Sequence, residues 1–193
     1  IRTPLSAAIL YAGHLSERDL TSEQTKRFSQ KIVSRLNNLE QQVRDMLVFA
    51  KGDVTLSDSM TIGSMIEELK IAVDVPLSAN EATLVINNDL SDTRIVCNSQ
   101  TMIGALSNLV NNALQASTVG ANIQLTTRRE DNDILISIAD SGCGIPENIM
   151  QRLQQEEAFV STKSQGTGLG IAVVRAVVKA HQGEFELSSK EGR

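Results

Sequence analysis

The chain of 193 residues has no tryptophan, and aromatic residues make up only 3% of it. Aromatic platforms on which single-stranded bases stack are therefore scarce. The net charge of −5 leaves no basic excess, which argues against nucleic acid as a partner. No apolar run approaches the roughly 20 residues that a membrane-spanning helix needs. We expect a cytoplasmic protein with no membrane segment in this sequence.

Cysteine is also scarce, since Cys97 and Cys143 are the two in the chain and they form no CxxC pair. Reduced thiols in a cytosolic domain are the favoured interpretation, and a disulfide is the alternative. The sequence begins with Ile1 rather than Met and ends with "EGR" after a predicted strand. We therefore expect it to be a fragment of a longer chain.

Helical spacing of apolar residues predicts two helices, over residues 1–16 and 22–51. The sequence "TSEQ" is a capping-box pattern with Thr21 or Ser22 as the N-cap. Apolar positions in the second helix recur every three or four residues, as in a coiled coil: Phe28, Ile32, Leu36, Leu39, Val43, Met46 and Ala50. A hairpin this small needs a partner surface, so we predict a homodimer through both helices as a four-helix bundle. The alternative is that both helices pack on their own domain.

A change of pattern follows residues 51–60, which form a predicted linker rich in Gly, Asp and Ser. Beyond it, helices are predicted over 61–75, 99–117 and 168–180, and strands over 82–87, 93–97, 122–128, 133–140 and 183–189. This mixture predicts an α/β sandwich with a mixed sheet packed on helices, and an α+β class for the whole chain. The predicted domains are residues 1–52 and 53–193.

Two glycine-rich stretches, "IADSGCGIPE" at 138–147 and "SQGTGLGIAVV" at 164–174, need an explanation. The first lacks the third glycine of a dinucleotide-binding fingerprint, and its acid precedes the glycines rather than following them. No GK[ST] sequence occurs, which excludes a P-loop. Both phosphate-binding motifs are therefore disfavoured.

Asp140 follows an apolar strand, where a carboxylate can accept a hydrogen bond from an exocyclic amino group such as that of adenine. Gly142 and Gly144 would allow close approach of a ring, because they lack a Cβ. The sequence "GTGLG" opens a predicted helix, whose first N–H groups favour phosphate. Between the two stretches, the polar residues 147–165 suggest a loop-like lid.

Asn108 and Asn112 are four residues apart in "NLVNNA" and project from one face of a predicted helix. Amide oxygens suit Mg²⁺, which prefers oxygen ligands. For this pair alone a solvated polar face is the favoured interpretation. Together with the acid, the glycines and the lid, the pair favours a nucleotide site.

Taken in order, "NLVNNA", "DSGCGIP", Phe159 and "GTGLG" resemble the N, G1, F and G2 boxes of sensor histidine kinases, which belong to the Bergerat-fold ATPases. The resemblance extends from about residue 55 to the end. At the N-terminus, "IRTPLSA" resembles the H box, H-E-x-R-T-P-L, and so would place the phosphoacceptor His two residues before Ile1. Thr3 matches the Thr that supports dephosphorylation of the partner in this family.

The resemblance implies ATP and Mg²⁺ as ligands, with adenine on Asp140 and the metal on Asn112, near the catalytic Asn108. The other implied nucleotide-binding residues are Gly142, Gly144, Ile145, Phe159, Thr162, Lys163, Gly166, Thr167, Gly168, Leu169 and Gly170. It also implies transfer of the γ-phosphoryl group to a His and then to an Asp of a response-regulator receiver domain. The fragment itself should bind nucleotide without labelling itself. "NALQAS" and the compact lid resemble the nitrogen- and flagellar-regulation subgroup.

The sequence departs from the family pattern at two positions, and two rival functions stay open beside the kinase. Gly104 replaces the Glu or Gln of many relatives, and Gln115 replaces a Lys or His. One rival is an ATPase of gyrase, chaperone or mismatch-repair type, and the other is a dimerisation module without kinase activity. Of the two histidines, His14 is expected to be a solvated helix residue. His181 is expected near a helix C-terminus, where a cationic imidazole is favourable.

Overall fold

The computed structural model describes residues 2–16, 20–51, 55–157, 160 and 168–190. The chain divides into two compact units, residues 1–50 and residues 51–193, and each is described by itself below. The predicted boundary between residues 52 and 53 lies outside the described residues.

The first unit is a pair of helices, α1 (Arg2–Leu15) and α2 (Ser22–Lys51). α2 begins with a reciprocal capping box. The Thr21 hydroxyl accepts a hydrogen bond from the Gln24 N–H at 3.2 Å, and the Thr21 N–H donates to Oε1 of Gln24 at 2.9 Å. The N-cap is therefore Thr21 rather than Ser22.

Aromatic contacts join the two helices of this unit. The Phe28 ring of α2 stacks on Tyr11 and His14 of α1, with ring centroids 6.1 Å and 5.3 Å apart. The Lys31 ammonium lies 5.0 Å from the centroid of the Tyr11 ring. The expectation that His14 is simply solvated was wrong, because its ring is half-buried against Phe28.

The second unit contains both strands and helices, without strict alternation. Its elements are β1 (Asp58–Thr61), α3 (Ile62–Ala79), β2 (Thr83–Asn88), β3 (Arg94–Cys97), α4 (Ser99–Ala116), β4 (Asn122–Glu130), β5 (Asp133–Ala139), α5 (Glu147–Gln154) and α6 (Gly170–Ala180). β1 and β3 form an antiparallel pair. The main sheet has the order β2-β4-β5, in which β2 is parallel and β5 antiparallel to β4. The predicted α+β class with a mixed sheet is confirmed.

One face of the main sheet is covered by α3 and α4. The hydrophobic core lies between this face and the two helices. The core residues are Ile62, Met65, Ile66, Leu69, Val73, Leu106, Val110, Ala113, Leu114, Ile123 and Leu125. In β4, Ile123, Leu125 and Thr127 alternate with exposed or half-buried residues, so the period-two pattern marks the buried face. The buried Thr127 hydroxyl donates to Oδ1 of Asn88 on β2 at 2.6 Å, which satisfies its polar atom.

Three predicted elements differ from the structure. Residues 183–189 form no strand: Phe185 and Leu187 are half-buried between exposed neighbours, but their backbone joins no ladder. Alternating burial requires only an apolar surface on one side of the chain. A strand also requires a neighbouring strand to which its backbone can hydrogen-bond. The predicted loop 147–165 begins with helix α5, and the predicted linker 51–60 contains most of β1.

Candidate functional site

The loop that follows β5 carries the first glycine-rich stretch. Asp140 is exposed at its start, and its Oδ1 accepts a hydrogen bond from the Gly142 N–H at 2.8 Å. This local bond fixes the carboxylate against its own loop, as in an Asx turn. Further along, Gly144 has a φ of +75°, which favours glycine, and the Ile145 N–H donates to the Ser189 hydroxyl at 2.9 Å.

This loop is attached to the C-terminal end of α4. A Cβ placed on Gly142 would lie 2.6 Å from the carbonyl oxygen of Ala116, the last residue of α4. The neighbouring Cys143 N–H donates to that same carbonyl at 3.0 Å. Glycine is therefore required at position 142 for the loop to approach the helix this closely.

The same helix carries the predicted asparagine pair, and the second glycine-rich stretch lies beside it. Asn108 and Asn112 are both half-buried on α4. α6 begins at Gly170, where an added Cβ would lie 3.6 Å from Nδ2 of Asn112. Gly168 has a φ of +66°, and the buried Leu169 is the N-cap residue of α6. The helix with the asparagines therefore contacts both glycine-rich segments.

The N-terminal end of α4 is held by residues that the sequence did not point to. Asn98 is the N-cap residue, and its Oδ1 accepts a hydrogen bond from the Thr101 N–H at 3.1 Å. Oδ2 of Asp58 accepts from both the N–H and the hydroxyl of Ser99, at 2.9 Å and 2.8 Å. The backbone bond from Ser99, followed by its hydroxyl and that of Ser57, holds the pKa of Asp58 below its ordinary value.

His181 completes this end of the helix. Its Nε2 accepts a hydrogen bond from the Asn98 N–H at 3.0 Å, and its Nδ1 lies 2.7 Å from the Val177 carbonyl oxygen. His181 lies just after a helix, at the C-cap of α6, as expected.

Several predicted site residues lie outside the described residues: Phe159, Thr162, Lys163, Gly166 and Thr167. The backbone of Thr3 lies in α1, and its side chain is outside the described part. Among the residues that the structure describes, no three His, Cys, Asp or Glu side chains form a group that could hold a metal ion. The roles assigned to these residues stay predictions.

The two cysteines are both free thiols in different surroundings. Cys97 is fully buried at the end of β3, and burial raises the pKa of its thiol, with added effects from Asp58 and Glu68. Cys143 is exposed in the loop that contacts Ala116. No disulfide joins them, which agrees with the favoured interpretation.

Two family models match the chain. Residues 97–193, which contain α4 and both glycine-rich segments, match the histidine kinase-, DNA gyrase B- and HSP90-like ATPase model, and residues 1–54 match the His Kinase A phospho-acceptor domain. The chain therefore belongs to this ATPase family and is a sensor histidine kinase catalytic core. The predicted family is confirmed.

A sequence relative supports the assignment. Sensor protein kinase FleS of Pseudomonas aeruginosa is 40% identical over 193 residues, which are 100% of this chain and 47% of FleS. The chain thus spans about half the length of this relative.

Two solved histidine kinases share the fold. ShkA, solved full-length in complex with AMPPNP, has a TM-score of 0.68 at 24% identity, covering 100% of this chain and 41% of ShkA. ThkA, solved in complex with the response regulator protein TrrA, has a TM-score of 0.67 at 19% identity, covering 94% and 52%. No helix in the described part of this chain is both long and apolar enough to cross a bilayer.

Proposed function

We propose that this chain is the ATP-dependent core that passes the γ-phosphoryl group of ATP to a His and then to an Asp of a response-regulator receiver domain. The observation that carries the proposal is the position of α4 between the two glycine-rich segments. Ala116 contacts the loop at Gly142, and Asn112 lies beside Gly170 at the start of α6. The three motifs of the family are therefore joined through one helix.

The adenine would bind at the loop after β5. The Asp140 carboxylate, oriented by the Gly142 N–H, would accept a hydrogen bond from the exocyclic amino group of the base. Gly142, Gly144 and Ile145 would allow the ring to approach the backbone, since the glycines have no Cβ. A neutral amide at position 140 would be a weaker acceptor than the carboxylate.

The phosphates would bind at the start of α6. Leu169, its N-cap residue, has no side-chain oxygen that could accept from the first N–H groups, and the helix dipole there favours negative charge. Gly168 and Gly170 would belong to this end of the site. Phe159, Thr162, Lys163, Gly166 and Thr167 would complete the lid over the nucleotide.

Mg²⁺ fits the residues beside this position, and Asn112 would hold it with Asn108 nearby. An amide oxygen is a ligand type that Mg²⁺ accepts, and the lack of a Cβ on Gly170 leaves room next to the Asn112 amide. Bound there, the ion would neutralise phosphate charge as the phosphoryl group leaves. The protein groups would then act mainly by positioning the nucleotide.

The N-terminal unit would supply the acceptor end of the reaction and the dimer contact. Its match to the phospho-acceptor domain supports an acceptor His in the H box that "IRTPLSA" resembles, two residues before Ile1. Thr3 would assist dephosphorylation of the regulator. Leu36, Val43 and Met46, three residues of the apolar seam of α2, are 46%, 40% and 39% exposed. A second copy of the chain would cover them in a four-helix bundle.

A receiver domain is the partner that fits this chemistry. ThkA, which has the same fold, was solved with a response regulator. We therefore propose a receiver Asp as the final acceptor and the cytoplasm as the location of this core. Membership of the nitrogen- and flagellar-regulation subgroup stays a prediction.

The test is a calorimetric titration of the 193-residue chain with Mg²⁺-AMPPNP. The variants Asp140→Asn and Asn112→Ala should bind at least about tenfold more weakly, as expected for a lost charged hydrogen bond or metal ligand. Asp133→Asn, at the exposed start of β5, is the matched control and should bind like the unsubstituted chain. No binding by the unsubstituted chain, or equal binding by all variants, would overturn the proposal.

A gyrase-type ATPase is the second candidate, because the matching family model also includes DNA gyrase B-like and HSP90-like ATPases. The phospho-acceptor match and the glycine at position 104 favour the kinase instead. Phosphate release without any acceptor separates the two. Brisk steady-state hydrolysis would favour the ATPase, and slow hydrolysis with tight nucleotide binding would favour the kinase.

A further inference from the structure

We propose that His181 is a positioning residue for the nucleotide site, because its hydrogen bond to Asn98 sets the position of α6 along α4. The inference rests on the proposed function, since it concerns the segments that would hold the phosphates and the metal. His181 lies at the opposite end of α6 from Gly170 and has no expected contact with the nucleotide. Its effect would act through the helix that begins at Gly170.

The two helices meet at both ends. Near the C-terminal half of α4, Asn112 lies beside Gly170, the first residue of α6. At the N-terminus of α4, Asn98 bonds to His181, which directly follows the last residue of α6. The two helices therefore run antiparallel, and any shift of α6 along α4 at one end changes the contact at the other.

Between these ends, α6 contributes buried apolar side chains. α6 buries Val173, Val174 and Val177, and apolar burial depends on area rather than on direction. A hydrogen bond, in contrast, requires a donor–acceptor distance near 3 Å and near-linear geometry. The bond of 3.0 Å between Asn98 and His181 is thus a directional contact with a defined length.

Both partners of this bond are themselves fixed. The His181 ring is oriented by its Nδ1 contact with the Val177 carbonyl of the preceding turn. The Asn98 side chain accepts from Thr101 and donates to the Thr55 carbonyl at 3.2 Å, while Asp58 binds the adjacent Ser99. The N-terminus of α4 is therefore a rigid reference point, and His181 connects α6 to it.

Two substitutions separate the acceptor atom from the bulk of the side chain. His181→Leu removes the acceptor and introduces an apolar side chain of comparable size. His181→Gln supplies an amide oxygen that can accept the hydrogen bond from the Asn98 N–H. Ile123→Val, at a fully buried position near the start of β4, is the control for a general loss of stability. All titrations use the 193-residue chain at a temperature well below every melting midpoint, so that each variant is folded.

His181→Leu should weaken Mg²⁺-AMPPNP binding about three- to tenfold, the range expected for one lost hydrogen bond, and should accelerate hydrogen exchange of the Asn98 amide. His181→Gln should bind within about twofold of the unsubstituted chain and retain amide protection. Ile123→Val should lower the melting midpoint and leave the nucleotide affinity unchanged.

Equal nucleotide affinity of His181→Leu and the unsubstituted chain would overturn the inference while leaving the proposed function intact. The same holds if Ile123→Val weakens binding as much as His181→Leu, because stability alone would then explain the effect. No binding by the unsubstituted chain overturns the proposed function and this inference with it.

Discussion

Gly142 lies so close to the end of α4 that a Cβ on it would be 2.6 Å from the carbonyl oxygen of Ala116. That atom belongs to the backbone of a packed helix and has little freedom to move. The loop that carries Asp140 can therefore keep its present position only with glycine at residue 142.

We expect Gly142→Ala to lower the free energy of unfolding by about 1–3 kcal/mol, the usual cost of overpacking. The loop would move away from Ala116, so nucleotide affinity should fall as well. Urea unfolding gives the first quantity and calorimetric titration the second. Unchanged values in both measurements would show that the loop has room for a side chain.

The opposite result is expected at Gly104, in the middle of α4, where an added Cβ would meet nothing within 4 Å. Gly104→Ala should raise the free energy of unfolding by about 0.5–1 kcal/mol, because glycine loses more backbone entropy in a helix than alanine. The same urea experiment measures it. A loss of stability for this variant would contradict the open space at this position.

Stability at acid pH should depend on Asp58. Because its hydrogen bonds hold its pKa below that of the unfolded chain, the stabilisation is fully present above the unfolded value, near pH 4, and is lost as pH falls through the folded value. Asp58→Asn should therefore reduce the loss of stability on acidification. Urea midpoints between pH 6 and pH 2.5 test this, with Asp74→Asn on the exposed face of α3 as the control. Parallel pH profiles for both variants would contradict the role of Asp58.

The two thiols should react at very different rates with a disulfide reagent in the folded protein. Cys143 is exposed and should react quickly, while Cys97 is fully buried with a raised pKa and should react only on unfolding. The absorbance of the thiolate released from the reagent gives the number of cysteines that react in the fast phase. Cys143→Ser should abolish the fast phase and Cys97→Ser should leave it, and two fast thiols would contradict the burial of Cys97.

The start of α2 should depend on Thr21 and not on its neighbour. Thr21→Ala removes the acceptor for the Gln24 N–H and should cost the hairpin about 1 kcal/mol, whereas Ser22→Ala should have a much smaller effect. Hydrogen exchange of amides in the first turn of α2 measures this locally. Equal acceleration by both substitutions would show that the capping box does not hold this end.

The long helices could be predicted from the sequence because their apolar spacing is sustained over many residues. α2 matches its predicted range, and α4 ends one residue before the expected 117. α3 continues to Ala79, although its predicted end was residue 75, because its interior proline at position 76 did not stop the helix. The absence of a strand at residues 183–189 could not be predicted. A strand depends on a distant backbone partner, which no local pattern specifies.

For the site, the motifs identified Asn112 and Gly170 as parts of one region, and the structure places them side by side. Sequence reasoning did not identify Ala116, which contributes only a backbone carbonyl, an atom that every residue has. It also missed Asp58. An acidic residue in a short polar segment gives no local indication that its partner will be the N-terminus of a helix. The contact of His181 with Asn98 could not be predicted either, because the two residues are 83 positions apart in the chain.

The parallel pairing of β2 with β4 has a consequence for synthesis on the ribosome. Asn88 and Thr127 are 39 residues apart, so an emerging β2 has no strand to pair with until α4 and most of β4 have been translated. The N-terminal hairpin has contacts of its own, such as the stacking of Phe28 on Tyr11 and His14, and can form earlier. Nascent chains halted just after β3 should therefore present β2 without its partner strand, an exposed edge to which chaperones can bind.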